Sequence, residues 1–127
     1  LAGNQTIELC EAENDYLGAI NKIPEQFDVI VIDGVHREKC VMLVRDHLSD
    51  GGMVILDNAD WYKETSRYLR EKLDLLEVDF HGFGPINAYT WTTSIFFSRS
   101  ARFQPRNNSQ PHYSVAAIKK SDGERVI

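Results

Sequence analysis

The spacing of apolar residues switches repeatedly between a period of two and a helical period, and these switches set out the elements of the chain. Thr6-Ile7-Glu8-Leu9-Cys10 alternates like a short strand, and Tyr16, Leu17 and Ile20 then recur at helical spacing up to Pro24. Phe27-Asp28-Val29-Ile30-Val31-Ile32-Asp33-Gly34 contains an unbroken β-branched run, which predicts a parallel strand covered on both faces. From His36 to Leu48, Cys40, Val41, Val44 and Leu48 share one helical face, and Ser49-Asp50-Gly51-Gly52 ends that helix with turn chemistry. Met53-Val54-Ile55-Leu56 is the next buried strand, followed by a helix packed through Leu69, Leu73 and Leu76. Glu77-Val78-Asp79-Phe80 starts a further strand, and Gly82-Phe83-Gly84-Pro85 interrupts it. Thr92 to Ser98 forms a last strand with no helix before it.

This order, β-α-β-α-β-α-β-β, predicts an α/β fold: a partial Rossmann-like, doubly wound, mostly parallel sheet closed by a C-terminal antiparallel hairpin. Ligands of such sheets bind beyond the carboxyl ends of the parallel strands. Two of those ends carry carboxylates, Asp33 followed by Gly34 and His36, and Asp57 followed by Asn58 and Asp60.

Charge divides the chain in two. Residues 1–98 hold 17 acidic and 8 basic groups, so −9, whereas residues 99–127 hold 2 acidic and 6 basic groups, so +4. The first part reads as the α/β domain and the second as a polar, mildly basic extension. It carries Arg99, Arg102, Arg106, Lys119, Lys120 and Arg125 and a weak apolar patch from Val115 to Ile118. An acidic body offers no footprint for a phosphate backbone, and the basic residues of the extension are too dispersed for a nucleic-acid patch. No run approaches the ~20 apolar residues that span a bilayer, and Leu1-Ala2-Gly3 lacks a secretory pattern. Cys10 and Cys40 read as two buried thiols rather than a disulfide or a metal pair. A soluble, cytoplasmic protein without nucleic-acid or membrane partners is the expectation.

Three segments in order carry a family resemblance over residues 4–98. The Phe27 to Gly34 strand with His36-Arg37 is followed by Leu48 to Asn58 with its Gly51-Gly52 pair, and then by Gly82 to Phe96 with Asn87, Tyr89 and Trp91. The sequence resembles the class I S-adenosylmethionine-dependent methyltransferases, with these pieces standing as fourth strand, following helix, fifth strand and closing hairpin. The resemblance implies methyl transfer to a small-molecule acceptor. It also implies that the loop after the Thr6 strand, Glu11, Ala12 and Glu13, reaches the cofactor's adenine together with Asp33 and Gly34. The family's Gly-rich loop for the cofactor's methionine end and its ribose-binding acidic residue have no counterpart here. Gly82 and Gly84 come too late and read as a tight turn. The isolated chain is therefore expected to bind S-adenosylmethionine weakly or not at all and to be inactive alone. A catalytically silent binding or assembly module is the alternative; a phospho-receiver domain is unsupported, since the acidic pair near the first strand and the lysine after the last that it requires are not visible here.

Asp33, Asp57 and Asn58 converge if their strands are neighbours, and three hard oxygen donors suit Mg²⁺. The resemblance to catechol-type methyltransferases implies a metal there that orients and acidifies a substrate hydroxyl. His36, three residues past the strand, is the candidate general base, since imidazole titrates near neutrality. Trp61, Tyr62, Asn87, Tyr89 and Trp91 are the candidate walls of an aromatic substrate pocket. Without the first two strands of the family, the Ile30 strand is left with an apolar edge. Inward movement of the Thr6 strand, fold-back of the tail around Val115 to Ile118, or a second copy of the chain could cover it; a homodimer through that edge is the expectation, with the Thr6 strand as the next choice.

Overall fold

The computed structural model of the chain describes residues 7–84 and 86–104. The elements run α1 (Glu13–Ala19), a 3₁₀ turn (Ile20–Lys22), β1 (Phe27–Ile32), α2 (Arg37–His47), β2 (Leu48–Leu56), α3 (Lys63–Glu71), β3 (Leu76–Phe83) and β4 (Thr90–Phe97). The fold is α/β, and its four strands lie in the order β1-β2-β4-β3. β1 and β2 are parallel, joined through α2, while β2–β4 and β3–β4 are antiparallel. The sheet is therefore mixed rather than mostly parallel, because the closing hairpin contributes as many strands as the parallel unit.

Alternation along the strands gives the sheet two unlike faces. Ile32, Val54, Leu56 and Phe96 point to one face and are buried with Val41 and Val44 of α2 and Leu69 of α3. The opposite face carries Val29, Val31, Met53, Ile55, Ile95, Phe97, Leu76, Val78 and Phe80. Among the described residues α2 and α3 both pack on the first face, while α1 lies beside α2 at the edge of β1. The expectation that the β1 strand is covered on both faces is corrected: Val31 is 62% exposed, because no helix of the described chain reaches that side.

Other departures have local causes. Ile7 to Cys10 form no strand, so the predicted strand, whose Thr6 lies outside the described residues, does not pair with β1, and β1 stands at the sheet edge. The Ser49–Gly52 turn signal does not separate α2 from a later strand. β2 begins at Leu48, and the turn residues make an irregularity in the β1–β2 register, with Gly51 at φ +82° and Ser49 donating to Asp28 Oδ1 at 2.8 Å. The Leu69–Leu73–Leu76 stripe outruns its helix: α3 ends at Glu71, Asp74 is left-handed at φ 56°, and Leu76 opens β3 half exposed. Leu75 takes the buried place instead.

Both cysteines are free thiols, half-buried rather than buried. No helix among the described residues is long and apolar enough to cross a membrane. At the start of the extension, Arg99 pairs with Asp74 at 2.8 Å and Phe103 packs edge-on against Phe97 at 5.2 Å. Arg106, Lys119, Lys120, Arg125 and the Val115 to Ile118 patch lie outside the described residues, as does Pro85.

Candidate functional site

The parallel pairing of Ile32 with Leu56 places the next residues, Asp33 and Asp57, side by side at one sheet edge. Both strands leave that edge through a left-handed residue, His36 at φ 54° and Asn58 at φ 52°. Such backbone is uncommon outside glycine, and His and Asn are among the side chains that tolerate it best. Its occurrence at both strand ends marks the edge as a place where geometry is imposed.

Arg37 organises that edge. The residue is 9% exposed, and its guanidinium donates to Gly34 O at 2.9 Å, Asp33 O at 3.0 Å, Asp33 Oδ1 at 3.2 Å, Asn58 Oδ1 at 3.0 Å and Asp57 O, and lies 5.0 Å from the Tyr62 ring centroid. A planar fork with five donors is suited to bridging several fixed acceptors at once, and it is always charged. One side chain thus ties the end of β1 to the end of β2. Sequence reasoning gave Arg37 no role; the available signal was a cation four residues after Asp33, at the start of the helix that follows the strand.

The proposed metal ligands divide. Asp33 and Asn58 meet, but through Arg37, whereas the Asp57 carboxylate turns to the Thr93 hydroxyl on β4. The Arg37 guanidinium occupies Asp33 Oδ1 and Asn58 Oδ1, and the third donor faces elsewhere. Among the described residues no three His, Cys, Asp or Glu side chains are grouped to hold a metal ion. As folded, the three donors do not converge on one cation position.

His36 Nε2 lies 3.8 Å from Glu13 Oε2 at the start of α1, which leaves Nδ1 for another partner. Glu13 also accepts from Lys39, and this hydrogen bond, reinforced by the nearby His36, holds its carboxyl below the usual carboxylate range. Of the residues assigned to the cofactor, Glu13 is thus brought to His36, and Gly34 lies against α1, where an added Cβ would meet the Tyr16 hydroxyl at 2.7 Å. Glu11 and Ala12 are exposed just ahead of α1. Burial raises the Tyr16 phenol and the Cys40 thiol above their ordinary ranges, which disfavours Cys40 as a nucleophile.

The aromatic candidates form two groups rather than one wall. Tyr62 caps Arg37, and Trp61 is exposed. Tyr89 meets Trp91 edge-on at 5.8 Å, and the Trp91 indole lies against Gly84. Asn87 is half-buried in the loop before them. The two groups approach through the backbone, since Ala59 N donates to Thr92 O at 2.8 Å and Thr92 N to Asp60 Oδ1 at 3.1 Å. An apolar cleft of 530 Å³ lies beside this edge, between α1 with its 3₁₀ turn and β1 with α2, lined by Tyr16, Leu17, Ile20, Ile30, Ile32 and Cys40 among others. Its size is that of a small-molecule site.

No protein-family model and no curated protein matches the chain.

Proposed function

We propose that the chain is the acceptor-side half of a Rossmann-like, S-adenosylmethionine-dependent methyltransferase fold that acts on a small molecule. The observation that carries this reading is the convergence of the β1 and β2 carboxyl ends on Arg37, with a left-handed residue at each end. It is supported by a parallel β-α-β unit continued by an antiparallel hairpin, the order that the sequence resemblance implies.

When bound, S-adenosylmethionine supplies an electrophilic methyl group. Glu13, Gly34 and Tyr16, beside the apolar cleft, suit its nucleoside end. No cradle for its amino-acid end is found in the sequence. Asn58 has its Oδ1 engaged by Arg37 and keeps its amide N–H groups to donate to an acceptor oxygen. Asp33, 63% exposed at its side chain, keeps one carboxylate oxygen to receive an acceptor hydroxyl. His36, with Glu13 behind Nε2, takes the acceptor's proton at Nδ1. Arg37 is a positioning residue in this scheme, fixing Asp33 and Asn58 without touching the acceptor.

Titration calorimetry with S-adenosylhomocysteine tests the reading. Saturable binding with a Kd weaker than about 100 μM, lost in Asp33→Ala, is expected of a half-site. Micromolar binding would overturn the half-site account. No binding at millimolar ligand would instead support the second reading, a catalytically silent assembly module. That reading is favoured by the extent to which Arg37 has already committed the polar groups of the edge.

A further inference from the structure

Residues 13–22, which make up α1 and its 3₁₀ turn, are fastened to α2 near both ends. At the start, Glu13 accepts a hydrogen bond from Lys39 in the first turn of α2 and lies 3.8 Å from His36, just ahead of that helix. At the far end, Asn21 Oδ1 lies 3.0 Å from Nε2 of His47, the last residue of α2. His47 is only 9% exposed, so this second fastening is sheltered from water. Both fastenings are polar, and together they set the spacing between this segment and α2.

Between the fastenings the helix buries nothing. Tyr16, Leu17 and Ile20 form one apolar stripe, yet no residue of α1 is buried. The stripe faces Ile30 and Ile32 of β1 and Cys40 and Leu43 of α2 across the 530 Å³ cleft. The charged residues that line this cleft, Glu8 and Lys22, are engaged with each other, which leaves its walls apolar. Short helices draw their stability from packing, and α1 has little else to draw on: it has seven residues, Gly18 in its interior and no side-chain cap at Ala12.

We infer that residues 13–22 are a strap that closes on β1 and α2 over a small molecule with an apolar body. Protein interiors are close-packed, so two apolar walls that polar contacts hold this far apart reach full packing only around a body that fills the space between them. The volume is that of a small-molecule site, and enclosure by a helix on one side and a strand with its helix on the other is the geometry of a clamp. Glu13, Lys39 and Asn21 are flexible side chains, so α1 can shift inward while its ends stay fastened. That the molecule is the nucleoside end of S-adenosylmethionine rests on the methyl-transfer reading; the strap itself does not.

Amide hydrogen exchange on the full chain tests the strap, with α2 as the internal reference. In the free protein the amides of α1 should exchange at least about tenfold faster than those of α2. Ala19→Trp and Leu43→Trp place an indole in the cleft from its opposite walls, and each should slow exchange in α1 by about tenfold with no added molecule. Ala19 belongs to a helix that buries nothing, so its substitution leaves the core intact, and unchanged exchange in α2 verifies this. Millimolar S-adenosylhomocysteine should slow α1 in the wild type and have no further effect in the two filled variants. Exchange in α1 as slow as in α2 in the free chain would overturn the strap, and so would exchange that neither the indoles nor the ligand slows. Slowing by the indoles alone would uphold the strap and count against the nucleoside reading of the cleft.

Discussion

The strand-end edge depends on one side chain. Replacing Arg37 with Leu strips a donor from the carbonyls of Asp33, Gly34 and Asp57 and from the Asn58 amide, and partly buried acceptors that lose their partners cost stability. The expected loss is about 2–4 kcal/mol, read as a lower midpoint in urea at unchanged slope. The Asp33 carboxylate contributes little to that figure, since its side chain is largely in water. Arg37→Lys keeps the charge but cannot span four separated acceptors, so it should recover less than half of the loss.

Glu13 gives a pH-dependent counterpart. The Lys39 hydrogen bond first, and His36 with it, lower its folded pKa below that of the unfolded chain. The sign follows from linkage: the stabilisation is fully present above the unfolded value and is lost as pH falls through the folded one. Urea titrations of the wild type and Glu13→Gln should therefore differ at neutral pH and converge in acid.

At the scale of elements, what was legible in the sequence is what local period and turn chemistry determine. β1, α2, β2, α3 and the final hairpin are all found where the apolar spacing places them, within a few residues. Within those strands the assembled sheet selects Val54, Leu56 and Phe96 as the inward positions, and each is fully buried. Phe96→Ala, on a central strand between β2 and β3, should cost about 3–5 kcal/mol in the same urea assay. What spacing does not determine is the environment on the second side of a strand. The β-branched run of β1 reads the same whether helices cover one face or two, and only the assembled sheet shows Val29 and Val31 exposed. Likewise Leu76 continues the helical period of Leu69 and Leu73, but the left-handed Asp74 breaks the helix before it.

The candidate site was legible as a place and only partly as a set of contacts. Strand topology brings Asp33, Asp57 and Asn58 to one edge, as their positions after β1 and β2 require. Which groups then face one another depends on rotamers and on residues from distant elements. Thr93, thirty-six residues beyond Asp57, draws its carboxylate to β4, and no spacing rule signals that bond. Arg37 enters the same edge from α2 as its central cation.

For the whole molecule, the described chain is a half-covered sheet: two helices bury one face, the other stays apolar and open, and β1 ends the sheet. The functional account rests on the edge where β1 and β2 terminate, and residue-resolved NMR with S-adenosylhomocysteine tests that account most directly. At millimolar ligand, the account predicts amide shifts concentrated at Glu13, Tyr16, Gly34 and His36 and transmitted through Arg37 to Asn58. Shifts confined to the α3–β3 side around Lys63, Asp79 and His81, or none at all, would contradict it.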